Sequence, residues 1–190
     1  MPLWGAYTSD ESKPKYLTTE EKKNCFATQA GWVYKHPNGQ EEVIVAIRGL
    51  AGTTTATRLG AATISSLTWI TDALTADSTA ITVEVVYNER VTVDTSGGTP
   101  SLVVSNDDTS GNGNGDYTLS YASGTGTNRL RFTATSLTLS ESDVLSVAAQ
   151  NVALNSGTIV DTASSSVSSQ VAISSAVSTA VGTVTVAAGA

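Results

Sequence analysis

The stretch that decides the fold is AITVEVVYNERVTVDTSGGTPSLVVS, residues 80–105. Its first half places apolar residues at every second position. Ile81, Val83, Val85 and Tyr87 therefore share one face of a strand, with Thr82 and Glu84 on the other face. RVTVDT continues the alternation, GGTP is typical of a turn, and SLVVS begins the next strand. This period of two indicates β-structure rather than helix.

The same pattern recurs on both sides of this stretch. Upstream, ATISSLTWIT predicts a strand with a bulge and places Trp69 in the core. Downstream, YTLSY, RLRFTAT, VLSVAA, GTIV and QVAIS predict further strands between polar turns. Short strands at regular spacing, separated by turn signals, predict an antiparallel β-sandwich over residues 61–174. The predicted fold class is all-β.

The first 60 residues predict an N-terminal arm followed by a β-hairpin. Two apolar runs, WVY and VIVAI, flank HPNGQ, in which Asn38-Gly39 is a strong hairpin signal. The preceding LTTEEKKNCFATQA predicts a short helix, with Thr18 or Thr19 as its N-cap. We assign residues 1–60 to docking and assembly.

The last segment, residues 175–190, is β-prone and uncharged. Its VGTVTVAA has two interpretations. The strand pairs with a neighbouring subunit or another protein, because an uncharged edge strand invites pairing. Alternatively, it is a frayed tail or one more strand of the same sheet.

The charge of the chain limits its partners. The net charge is −7, but residues 1–60 hold seven Lys/Arg against six Asp/Glu, whereas residues 61–190 hold three against eleven. An acidic main domain argues against nucleic acid, which requires clustered cations. No apolar run approaches the length of a membrane span. We expect neither nucleic acid nor membrane as a partner.

The opening MPLWGAYTSDESKPKY lacks the basic patch and apolar run of a secretory signal. Cys25 is the only cysteine of the chain, which excludes an intrachain disulfide and suits a reducing compartment. We therefore expect synthesis in a cytoplasm without secretion.

The residues offer little catalytic chemistry. Cys25 and His36 could form a nucleophile–base pair, but a turn histidine and an incidental cysteine explain them more simply. Two such ligands cannot complete a zinc site. Glu84, Glu89 and Asp94 are acids along strands of a filled sandwich, which offers no cleft for paired carboxylates. The sequence predicts no catalytic residues and no enzyme activity.

The loop DDTSGNGNGD, residues 107–116, is the candidate metal site. Asp107, Asp108 and Asp116 supply carboxylates, and glycines allow carbonyl groups to turn inward, which suits calcium. The spacing does not match an EF-hand loop, and a solvated hairpin loop is the alternative interpretation. No other cofactor is expected.

Two stretches of the chain resemble known families. RVTVDTSGGTPSLVVSN, YTLSYASGTGTNRLRFTAT and NVALNSGTIVDTA together resemble bacterial Ig-like and cadherin-like surface domains over roughly residues 80–165. That resemblance implies an Ig-like sandwich used for adhesion or structure. PLWG, ESKPKYLT and EEVIVAIRGL, within residues 2–50, resemble the N-terminal region of structural proteins of marine T4-like cyanophages.

Together the resemblances imply a virion structural protein, most specifically a capsid decoration protein. A virion protein folds in the host cytoplasm and becomes exterior by assembly, so it needs no signal. Its expected partners are the major capsid protein or other virion proteins, with homo-oligomerisation. Trp4, Lys13, Lys15 and Trp32 are the candidate partner-binding residues. The alternatives are a tail, neck or fibre component, or an adhesion or carbohydrate-binding module that recognises host-surface glycans.

Overall fold

The computed structural model of the chain describes residues 14, 16–52, 59–163 and 167–190, which form mainly β-strands. The predicted all-β class is confirmed. The elements of the described residues, in chain order, are α1 (Thr19–Lys23), β1 (Cys25–Thr28), β2 (Gly31–Lys35), β3 (Glu41–Ala46), β4 (Ile64–Trp69), β5 (Ala80–Asp94), β6 (Ser101–Asn106), β7 (Tyr117–Ser123), β8 (Thr127–Thr135), β9 (Val144–Ser146), β10 (Thr158–Asp161), α2 (Ser175–Val181) and β11 (Thr183–Thr185).

Strand β5 is the centre of the structure. It is 15 residues long and pairs with β8 along one edge. Along the other edge it pairs first with β4 and then with β10. The sheet order continues from β8 through β7, β6 and β9 to β11. The ladders between the named strands from β4 onward are antiparallel, as expected.

The period-two face of β5 forms the core. Ile81, Val83, Val85 and Tyr87 are all fully buried, as the alternation predicts. They pack in one cluster with residues of β8, β7, β6 and β9, including Phe132. Burying each such side chain stabilises the fold by roughly 1.5–3 kcal/mol. The predicted bulge in β4 is also present, between Ile64 and Ser66.

The C-terminal segment belongs to this core. Strand β11 pairs antiparallel with β9, so the interpretation of VGTVTVAA as one more strand of the same sheet is confirmed. Val184 and Val186 are buried in the main cluster. The sequence did not predict α2, which begins after Ser174, whose hydroxyl oxygen accepts from the Val177 amide. The prediction of a strand at QVAIS is wrong. In this segment Ala172 forms an isolated bridge to Asn151 in place of a strand.

The N-terminal unit, residues 16–52, has a small core of its own. Its centre is formed by Cys25, Ala27, Trp32, Leu50 and Ala51. The hairpin of β2 and β3 is confirmed, and the predicted turn is closed by a bond from the Gly39 amide to the His36 carbonyl.

The predicted helix is correct only in its first half. Thr18 caps α1, and the Glu21 carboxylate accepts from the Thr18 amide in return. The helix ends at Lys23, and CFAT forms β1 instead. Burial of Cys25 and its two neighbours against β2 outweighs the local helical preference.

The N-terminal unit joins the main sheet through β1. Ala27 pairs in parallel with Glu89 of β5, so the whole sheet is mixed. This contact fixes where the unit meets the larger β-structure. The two hydrophobic clusters remain distinct: Leu59 packs on the small N-terminal core, whereas Ala62 belongs to the main cluster.

Candidate functional site

Of the four candidate partner-binding residues, the structure describes Trp32. Trp4, Lys13 and Lys15 lie outside the described residues. Trp32 is fully buried in the small N-terminal core. It is therefore corrected from a partner-binding residue to a core residue, because its side chain has no surface to present.

Exposed apolar side chains offer a different candidate surface. Among the described residues, three large hydrophobic side chains are exposed, and two of them belong to the N-terminal unit. Tyr16 is 64% exposed and Val43 is 47% exposed, whereas Ile70 of the larger β-structure is 40% exposed. Tyr16 also lies near the end of the arm, residues 1–17. The N-terminal unit thus presents two of these three side chains for contact.

The aspartates of the 107–116 loop bind backbone amides of their own surroundings. Asp107 Oδ1 accepts from the amides of Thr109 and Val144. Asp108 accepts from the Gly113 amide, and Asp116 Oδ1 accepts from the Asn106 amide.

These contacts fix the loop without bringing its aspartates together. Hydrogen bonds from Thr109 and Val144 hold the pKa of Asp107 below its ordinary value. Within the described ranges, no three acidic, histidine or cysteine side chains converge in a way that could hold a metal.

Asp143 is the residue that organises this loop, although the sequence did not predict its role. The side chain is completely buried. Its Oδ1 accepts from the Ser110 backbone amide at 3.0 Å, and its Oδ2 accepts from the Asn106 side-chain Nδ2 at 3.0 Å. Burial raises the pKa of Asp143, but the hydrogen bonds from Ser110, Asn106 and Asn114 outweigh burial and lower it.

We expect Asp143→Asn to destabilise the protein by about 2 kcal/mol at pH 7, because hydrogen bonds to a buried carboxylate are lost. The depressed pKa means that the ionised carboxylate stabilises the fold above the unfolded pKa of about 4. This contribution disappears as the pH falls through the folded pKa. Urea unfolding of both proteins at pH 7 and pH 3 measures the difference. An equal difference at both pH values would contradict this role.

Three tyrosines of the larger β-structure pack in or against its hydrophobic core. Tyr87 is fully buried. The Tyr117 hydroxyl donates to the Thr138 carbonyl, and the Tyr121 ring packs edge-on against Phe132 at 6.0 Å between centroids. These contacts do not form an aromatic platform for a sugar ring.

Cys25 and His36 also have structural surroundings. Cys25 is fully buried in the small core. His36 lies in the hairpin, with Nε2 3.0 Å from a Glu42 oxygen and its ring edge-on to Tyr34. Both positions agree with the simpler explanation, a turn histidine and an incidental cysteine.

An ion-pair network connects the N-terminal unit to β5 and β8. The Glu84 carboxylate is buried and receives charged hydrogen bonds from Arg129 and Arg131. Arg129 also donates to the Lys23 carbonyl at 2.9 Å and to Asn24 Oδ1 at 2.6 Å. One guanidinium therefore connects the end of α1 to the central strand.

Glu89 occupies the irregular point of β5. The β5–β8 register shifts between Val86 and Val91, and the other edge of β5 changes partner from β4 to β10 nearby. Glu89 is 1% exposed, and neither carboxylate oxygen has a hydrogen-bond partner among the described residues. Burial, with repulsion from Asp161, raises the pKa of Glu89 to about 8.

The comparisons with known proteins cover the N-terminal unit and the beginning of the larger β-structure. Residues 11–88 match the model of a family of unknown function, DUF7440. The DUF7440 match spans α1 to β4 and the first part of β5, as far as Asn88. It therefore includes residues of both hydrophobic clusters. It ends one residue before Glu89.

No curated protein matches, and no solved structure matches. In the part of the chain that the structure describes, no helix is both long and apolar enough to span a bilayer.

Proposed function

We propose that this chain is a non-enzymatic structural protein of a phage virion, exposed on the particle exterior, with capsid decoration as its specific role. The N-terminal unit docks on the major capsid protein, and the larger β-structure points outward. The observation that carries this proposal is the exposure of Tyr16 and Val43 on the N-terminal unit. Tyrosine is one of the residue types that most often dominate the binding energy of protein interfaces, and an exposed valine adds apolar area that docking removes from water.

The charge distribution supports the same orientation. Residues 1–60 carry a net charge of +1, with Lys13 and Lys15 in the arm, whereas residues 61–190 carry −8. A nearly neutral unit is repelled less by an acidic protein surface than a strongly acidic one is. Outward-facing acidic copies also repel one another, which disfavours aggregation between particles.

The attachment of the two parts supports a docking role as well. The N-terminal unit has its own core and is fixed to β5 through β1 and to β8 through Arg129. A fixed junction lets a docked unit hold the outer structure in one direction. The proposal assigns no catalytic step to any residue.

Deletion of the arm, residues 1–17, tests docking. The deletion variant and the full chain are each added to virions purified from a phage whose gene for this chain is disrupted. Bound protein is then measured after sedimentation of the virions. We expect the deletion to weaken binding about tenfold or more, because it removes Trp4, Lys13, Lys15 and Tyr16 together. Undiminished binding would contradict the docking role.

Two matched substitutions refine the result. Val43→Ser lies on the N-terminal unit and Ile70→Ser on the larger β-structure, and both side chains are exposed. We expect Val43→Ser to weaken binding and Ile70→Ser to leave it unchanged. Imaging of decorated particles then distinguishes a capsid position from one on the tail, neck or fibre. A position on the tail, neck or fibre would contradict capsid decoration.

A further inference from the structure

A cavity lies at the junction between the N-terminal unit and the larger β-structure. Its volume is about 150 Å³, and residues of the β1–β2 turn, β5 and the end of β10 line it. A water occupies about 30 Å³ in the liquid, so the cavity can hold several waters or a cation with part of its hydration shell. Gln29, Thr162 and Ala163 of the lining are exposed, so the cavity reaches the surface.

Two carboxylates line this cavity. Glu89 is 1% exposed, and neither of its oxygens has a hydrogen-bond partner among the described residues. Asp161 is completely buried, and its Oδ1 accepts from the Ala163 amide at 2.7 Å. An ionised carboxylate without a partner is costly to bury unless a cation compensates it.

The cation on the cavity wall does not supply that compensation. Arg90 lines the cavity, but its Nη2 lies 2.5 and 2.6 Å from the two carboxylate oxygens of Glu41. The same guanidinium lies 5.0 Å from the centroid of the Phe26 ring. The positive charge is therefore bound to another carboxylate, and the described part of the chain offers Glu89 no paired cation.

We propose that Glu89 and Asp161 bind a divalent cation, best matched by calcium, in this cavity. Calcium accepts carboxylate, carbonyl, hydroxyl and water oxygens in a flexible arrangement, which suits two carboxylates in a roomy cavity. Thr28 and Thr162 also line the cavity, but their hydroxyl groups already bond the Gly31 carbonyl and the Thr92 hydroxyl. Magnesium fits less well, because it dehydrates reluctantly and demands near-octahedral geometry.

The site differs from the 107–116 loop in its chemistry. The loop aspartates already accept amide hydrogens, whereas the Glu89 carboxylate has no donor within the described ranges. A cation here would connect β1 of the N-terminal unit to the end of β10 through β5. Calcium would therefore strengthen the attachment of the N-terminal unit, independently of what that unit docks on.

Calcium chloride added to the full chain, purified in EDTA and then dialysed, tests the proposal by thermal unfolding at pH 8. We expect Tm to rise by about 5 °C or more at calcium a hundredfold above its Kd. The rise should persist in Asp108→Asn and disappear in Glu89→Gln, and magnesium at the same concentration should give a smaller rise. No rise in the natural chain, or an unchanged rise in Glu89→Gln, would overturn the proposal. If the calcium-induced rise in Tm is lost in Asp108→Asn alone, the cation binds the 107–116 loop instead. That result would also overturn the proposal.

Discussion

Substitution of Glu89 by glutamine should make the protein more stable at pH 9 than the natural chain, by about 4–5 kcal/mol in the presence of EDTA. In the natural chain, Glu89 is buried with a pKa raised to about 8 from an ordinary value of 4.5. At pH 9 its ionised carboxylate lies in the cavity without a hydrogen-bond donor from the described residues. Glutamine has nearly the same shape and no charge to desolvate.

The direction of the pH dependence follows from proton binding. Between about pH 4.5 and pH 8, the folded state holds the Glu89 proton and the unfolded state does not. The free energy of unfolding therefore falls by about 1.4 kcal/mol per pH unit over this range and levels off above it. The stabilising effect of the protonated group is fully present below the unfolded pKa and is lost as pH rises through the folded pKa.

Urea unfolding at pH 5, 7 and 9 in EDTA measures this effect. The difference between the natural chain and Glu89→Gln isolates Glu89, since all other titrations are shared. Glu141→Gln, at an exposed position, is the matched control and should follow the natural chain at every pH. Parallel pH profiles for the natural chain and Glu89→Gln would show that Glu89 titrates normally and would refute the expectation.

Alternation of apolar residues is enough to predict the central strand. Ile81, Val83, Val85 and Tyr87 lie in the main hydrophobic cluster, as their period of two requires. The Asn38-Gly39 turn was equally predictable, because its positive-φ requirement is local: Gly39 has a φ of +86°. These features depend on neighbours in sequence.

The position of Glu89 could not be predicted in the same way. The segment YNER interrupts the alternation, which signals an irregularity but not what surrounds it. Its environment is set by β1 and by Asp161, which are distant in sequence. The same reasoning applies to Asp143, whose partners lie across the fold on the 107–116 loop. Buried carboxylates that depend on tertiary contacts leave no periodic signal.

The N-terminal helix shows how tertiary burial overrides a local preference. The capping box of Thr18 and Glu21 gives a true helix start. The continuation into CFAT fails, because Cys25 to Ala27 are buried as a strand between β2 and β5. Trp32 was misassigned for a related reason: the sequence identifies an aromatic anchor but not whether the chain itself covers it.

Substitution of Arg129 by methionine should destabilise the protein by about 3 kcal/mol, because removal of one member of a buried ion pair leaves a buried charge uncompensated. The Glu84 side chain is only 4% exposed, and Arg129 is one of its two cationic partners among the described residues. The remaining contact, from Arg131 Nε, is 3.3 Å long. The substitution also removes the bonds to Lys23 and Asn24 of the N-terminal unit.

Arg131→Met is the matched control, since the Arg131 side chain is 52% exposed and its contact with Glu84 is screened by solvent. Its cost should stay below about 1 kcal/mol. Thermal unfolding should show a Tm decrease of about 6–12 °C for Arg129→Met and a much smaller one for Arg131→Met. Hydrogen exchange should accelerate in α1 and β1 for Arg129→Met alone, because Arg129, unlike Arg131, connects Lys23 and Asn24 to Glu84.

The double variant Glu84→Met/Arg129→Met separates the buried charge from the connection itself. Replacing both members of a buried pair by apolar residues often restores stability, because the uncompensated charge is gone. We therefore expect global stability to recover while exchange in α1 stays fast, since the bonds to Lys23 and Asn24 remain absent. If exchange in α1 also recovers, Arg129 acts through Glu84 alone. In that case the attachment of the N-terminal unit to the larger β-structure depends on the β1–β5 contact, not on the guanidinium.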